Sequence, residues 1–143
     1  MTMTASRWIN LATRVAGMMV LAIGLAHFAL PTLGYATADL AVIPDAQREH
    51  FVFLGTYSIA FFLISFAVMT LFARLETPRR EMTVFLGLMV VVWTARLVLE
   101  LIYPVELPLF FVPKPHPMLI VTLTIIALGY AVGFAGHLRS GRA

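Results

Sequence analysis

Met82 to Tyr103 reads MTVFLGLMVVVWTARLVLELIY, and this stretch decides the fold. A helix rises about 1.5 Å per residue, so a run of this length matches the roughly 30 Å hydrocarbon core of a bilayer. Two charges interrupt it, Arg96 and Glu100, four residues apart and therefore one helical turn from each other. An ionisable side chain near mid-membrane costs about 2.5 to 3.5 kcal/mol on insertion scales, so such a residue faces a protein interior or a wet cavity and often marks function. The pair also has a structural reading, in which Arg96 and Glu100 do no more than neutralise each other.

The rest of the chain agrees with the membrane reading. Of 143 residues 61% are hydrophobic and 12% charged, too little polar surface for a water-soluble globule. Besides Met82 to Tyr103, apolar runs extend from Leu11 to Leu30, Phe51 to Phe72 and Met118 to Gly136. Each is long enough to cross a bilayer as a helix. The expected fold is an all-α integral membrane four-helix bundle, a single domain over residues 1–143. Cysteine is absent, which excludes disulfides, thiolate metal sites, iron–sulfur clusters and cysteine nucleophiles. The formal net charge of +3 comes with no basic cluster of the kind that binds nucleic acid.

Basic residues set the orientation. Arg7, Arg14, Arg74, Arg79, Arg80, Arg139 and Arg142 fall at one end of the expected helices, against Arg48 and Lys114 at the other. The positive-inside rule then places both termini in the cytoplasm. Nine arginines against one lysine suit a GC-rich bacterial genome, hence a multi-pass protein of the bacterial cytoplasmic membrane. An arginine-bearing start, an apolar run and Ala36-Thr37-Ala38 also imitate a cleaved signal peptide. Gly17, Gly24 and His27 on one face of that run favour a retained helix, because a discarded signal has no need of a packing face.

The connections differ in kind. A short charged turn from Glu76 to Glu81 contains Pro78, and the Pro31 to Glu49 loop ends in a segment where Asp45 is a candidate N-cap that starts the second helix early. Pro104 to Pro117 carries prolines at 104, 108, 113, 115 and 117, which exclude regular helix, around an apolar core from Leu107 to Val112. Such a loop lies on the membrane surface or folds over the end of the bundle.

At 100° per residue, Met89, Trp93, Arg96, Glu100 and Tyr103 share one face of the third helix, which is expected to point inward. On the second helix His50, Leu54, Tyr57, Phe61 and Ser65 share a stripe whose polar members mark the expected buried side. Gly129, Gly133 and Gly136 give the fourth helix a close-packing surface, read as packing within the chain. His27, His50, Glu100 and His116 fall at one membrane level, so with Arg96, Trp93, Tyr57, Tyr103 and Glu106 they are expected to line one pocket roofed by the proline-rich loop. His137, at the opposite end, is expected to touch lipid headgroups.

Arg14-Val-Ala-Gly17, followed by Gly24-Leu-Ala-His27-Phe28 and Pro31, resembles the first helix of the DoxX-like family of small four-helix bacterial membrane proteins. Some members of that family belong to quinone-linked oxidoreductases, which implies a lipophilic redox partner. Arg14, Gly17, Gly24 and His27 carry the resemblance. The second helix departs from it in lacking the family's glycine and acidic pattern, and the first loop is longer.

Three functional expectations result. In the first, the pocket binds a lipophilic or quinone-like ligand: Arg96 or a histidine donates to a carbonyl while Glu100 and the histidines exchange protons with the outer side, which makes Glu100, Arg96 and His27 the candidate catalytic residues, and His50, His116, Trp93, Tyr103, Tyr57 and Glu106 hold the ligand. The second is a non-catalytic accessory subunit packed against a larger membrane complex, or against a second copy of itself, through its glycine faces and the proline-rich loop from Pro104 to Pro117. The third is a haem or metal site built from His27, His50 and His116.

Overall fold

The computed structural model describes residues 3–36, 43–73 and 80–140. The charged turn around Pro78, with Arg74 and Arg79, lies outside the described residues, as do Thr37, Ala38, Asp39 and Arg142. Helix α1 covers Met3–Ala29 and continues through a widened π turn, Leu30–Gly34. Pro31 stands at that widening, where its missing N–H interrupts the regular ladder. Helix α2 runs Asp45–Leu71, with a π-helical stretch at Glu49–Leu54 before a regular section at Gly55–Leu71. Helices α3, Arg80–Ile102, and α4, His116–Ser140, complete the set. All four are long and apolar enough to cross a membrane.

Two boundaries differ from expectation for identifiable reasons. Helix α2 does begin early, but Asp45 is its first residue and not its cap, because Pro44 holds the cap position and the Asp45 carboxylate turns to Arg48. Helix α4 starts at His116, ahead of Met118, since Pro117 has a preset φ suited to the first turn of a helix.

Small residues set the packing. A side chain at Gly129 would meet the Ala16 Cβ at 2.7 Å and the Ala12 carbonyl oxygen at 3.0 Å, so α4 lies against α1 almost backbone to backbone. Gly17 faces Thr70 and Leu71 of α2, while Gly24 faces Leu63 and Ile64. These pairings run in opposite directions along the chain, so neighbouring helices are antiparallel and both described chain ends lie at one end of the bundle. The opposite end, where α3 passes to α4, is called distal below. The α4 glycines thus serve packing within the chain.

Extended seams join α2 to α1, α1 to α4 and α4 to α3. Between α2 and α3 there is no comparable seam among the described residues, and the Phe66 and Phe85 rings reach across with centroids 6.3 Å apart. Val20, Ala67, Leu86, Ile126 and Tyr130 form the centre of the core. There the Tyr130 and Thr70 hydroxyls bond at 2.8 Å. Large apolar residues such as Phe61, Phe62, Val91 and Leu128 face outward, as a bilayer requires.

The buried side of α2 is the reverse of the expected one. Thr56, Ala60, Ala67 and Thr70 face inward, whereas His50, Leu54, Phe61 and Ser65 are exposed and Tyr57 is half-buried. Small size governs this face: Thr56 and Thr70 satisfy their hydroxyls on the carbonyls of Val52 and Phe66, one turn back, leaving compact surfaces for α1. His137 is also corrected, being 2% exposed inside the bundle and not at the headgroups.

Gly129→Leu should therefore lower stability by about 1 to 3 kcal/mol through overpacking. Gly55→Ala, whose added methyl would meet nothing nearer than the His50 carbonyl oxygen at 3.9 Å, should be neutral or stabilising. Thermal unfolding in detergent, followed by circular dichroism, separates the two.

Candidate functional site

Glu100 lies in the last turn of α3 and is fully buried. Its carboxylate collects donors from three parts of the distal end. Oε2 accepts from Arg96 Nη2 at 2.9 Å. Oε1 accepts from the Val105 backbone N–H at 3.0 Å and from the His116 ring at Nδ1, 2.9 Å away. An ionised carboxylate only accepts and has about four lone-pair sites, so this one is nearly saturated and fixes the proton of His116 on Nδ1.

Local sequence explains how the donors arrive. Arg96 is one turn below Glu100 on the same helix. Tyr103 N–H closes the final turn onto Leu99 at 2.8 Å; Pro104 then stops the helix and folds Val105 back over its end. His116 opens α4 between the buried Pro115 and the exposed Pro117, which fix the approach of the chain.

The loop between these points is a tight turn. Leu109 and Val112 exchange backbone bonds of 3.1 and 2.9 Å, and Phe110 and Phe111 at the tip have φ of 48° and 65°. Bulky residues in that left-handed region cost roughly 1 to 2 kcal/mol each, and such geometry persists only where the surroundings enforce it. Part of the enforcement is the Phe110 N–H, which donates to the Gly34 carbonyl at the end of α1 over 2.8 Å. The loop is thus a strap from α3 across to α1 and back to α4.

Of the residues expected to converge, Arg96, Glu100 and His116 do, and Trp93 sits deeper on the same face of α3, 4% exposed. Its indole N–H has no acceptor among the described residues. A buried donor left so costs about 1 to 3 kcal/mol. The others stand apart. His27 is half-buried, and its Nδ1 bonds the Ile23 carbonyl of its own helix at 2.7 Å, one turn back and away from Glu100. His50 is exposed and meets the Phe51 ring edge-on at 5.3 Å; Tyr57 stacks on Phe28 at 5.9 Å. Tyr103, 72% exposed, and Glu106, also exposed, lie beyond the helix, where the 100° rule no longer assigns a face. His27, His50 and His116 do not meet, and among the described residues no group of three or more histidine, aspartate or glutamate side chains could hold a metal ion.

The contribution missed by the sequence reading is the Val105 N–H, since a backbone donor has no side-chain signature. The only hint was a proline stop directly after a buried acid.

Comparison with family models, curated proteins and solved structures gave no match. Fold and site define the chain as a small multi-pass membrane bundle with a buried carboxylate at its distal end.

The two charges differ in exposure, and this predicts an asymmetry. Arg96→Leu leaves the fully buried Glu100 carboxylate with only the Val105 N–H and His116 as donors and should be the more destabilising change. Glu100→Gln leaves an arginine already 40% exposed, which can turn outward, and should cost clearly less. Thermal midpoints of both variants in one detergent check the order.

Proposed function

We propose that the distal end binds a lipophilic ligand carrying a hydrogen-bond acceptor, of the carbonyl or quinone type, with Arg96 and His116 as donors and Glu100 as their anchor. The observation that carries this reading is the division of each donor into an anchored and an open side. Glu100 is fully buried, while the Arg96 and His116 side chains bonded to it remain 40% and 36% exposed. Arg96 commits one N–H of its five to Glu100, and His116 commits Nδ1, leaving Nε2. Donors preset in this way recognise an acceptor at small ordering cost. Imidazole can also pass a proton between its two nitrogens, so His116 supplies a route between Glu100 and the exterior.

The setting we propose is the bacterial cytoplasmic membrane, with the distal end outward. Arg7, Arg14, Arg80 and Arg139 lie at the end of the bundle that carries the described chain ends, and Arg48 and Lys114 lie at the distal end. The DoxX-like resemblance of α1 fits a lipophilic partner, although its Gly17 and Gly24 have a packing role against α2. An accessory-subunit role would draw on the α4 glycines and the proline-rich loop, and of these Gly129 and Gly133 already pack on Ala12, Ala16 and Thr13 of the same chain.

Arg96→Lys keeps the charge beside Glu100 and removes the planar set of donors. It should weaken binding of decylubiquinone in nanodiscs about tenfold or more with little change in thermal midpoint; equal binding would defeat the proposal. Orientation has a separate test, helped by the absence of cysteine. Cysteine placed at Lys114 should react with a membrane-impermeant maleimide on intact spheroplasts, and cysteine at Ser140 only after lysis. The opposite pattern would reverse the topology.

A further inference from the structure

Trp93 is an exception to the rule that buried donors find acceptors. It is 4% exposed, its Nε1 has no acceptor among the described residues, and it lies within the apolar core cluster that includes Met89, Leu123 and Ile126. Tryptophan near the ends of membrane helices is explained by the headgroup region. Trp93 is nine residues short of Ile102, about 13 Å below the distal end of α3, so that explanation fails. Phenylalanine would fill an apolar core without bringing a donor that needs a partner. Three residues on, Arg96 is a helical neighbour, with Cβ atoms about 5 to 6 Å apart, and it too has donors to spare.

Resting on the reading of the distal site above, we infer that the Trp93 indole N–H is a ligand-binding donor, taking an uncharged oxygen acceptor on a lipophilic molecule whose head reaches below Glu100. The chemistry selects the class. An indole N–H only donates and carries no charge, so inside an apolar core it suits a ketone, ester or quinone oxygen better than an anion, whose desolvation it could not offset. Trp93 and Arg96 together offer a neutral and a charged donor, which fits a head with two separated oxygen acceptors, the deeper one in the apolar core. The side of the bundle between α2 and α3, which lacks an extended seam among the described residues, offers such a molecule an entry from the bilayer.

The second tryptophan, Trp8, is exposed on α1 and provides an internal control. The test uses the full chain in nanodiscs with ¹⁵N-labelled indoles and decylubiquinone as probe, decylbenzene serving as its acceptor-free counterpart. Decylubiquinone should move the Trp93 Nε1–H resonance downfield as a new hydrogen bond forms; decylbenzene should not, and Trp8 should stay in place. Trp93→Phe should weaken decylubiquinone binding about tenfold, the loss of one hydrogen bond. A benzothiophene analogue of tryptophan at position 93, of the same shape but without the N–H, should reproduce that loss if the phenylalanine variant folds poorly.

Decylubiquinone binding that needs Arg96 but leaves the Trp93 signal and the analogue's affinity unchanged would overturn this inference and spare the distal site. A Trp93 resonance already downfield in ligand-free protein, with a cross-peak to water, would also overturn it, showing a buried water only. Absence of decylubiquinone binding in every form would overturn both.

Discussion

A carboxylate inside a bilayer has to find all of its hydrogen bonds within the protein, and Glu100 does so with donors from its own helix, from the loop that follows and from the next helix. That requirement organises the distal end. Pro104 ends α3 and turns Val105 back, and the carboxylate then holds the Val105 N–H, orients His116 at the start of α4 and holds Arg96 along the helix. The same group therefore does structural work and sets out the donors that a ligand would meet. Removing it would change both, which is why charge-preserving and shape-preserving substitutions separate the roles.

Elsewhere the bundle depends on small size. Gly129 against Ala16, Gly17 against Thr70 and Gly24 against Ile64 let backbones approach closely, and in lipid that dispersion contact replaces the hydrophobic drive of soluble cores. Among the described residues the α2–α3 side departs from this rule, being bridged by the Phe66 and Phe85 rings. The close seams are those of α1 with α2 and α4 and of α4 with α3.

The sequence was most informative where energy leaves few choices. Run length identified the four spans, and the cost of charge in lipid identified Glu100 as an interior residue, with Arg96 half-buried beside it. His116 was also legible, because the helix count put it at the level of Glu100. Level alone misled for His27 and His50: a histidine can satisfy itself on the carbonyl one turn back, as His27 does, or stay at the surface, as His50 does. The second-helix stripe failed for a related reason. Polarity does not mark the inside of this helix: Thr56, Ala60, Ala67 and Thr70 are inside because they are small. The Phe110–Phe111 turn could not be read at all, since two phenylalanines in left-handed backbone contradict local propensity and are held by contacts distant in sequence.

Those distant contacts impose an order of assembly. Phe110 can settle only against the Gly34 carbonyl, and His116 only against Glu100, so the strap has nothing to close on until α1 and α3 are in place. Chain synthesis supplies that order, because α1 and α3 both emerge before α4. The distal site is consequently completed only once the start of α4 has reached Glu100, and its donors are not brought together before then.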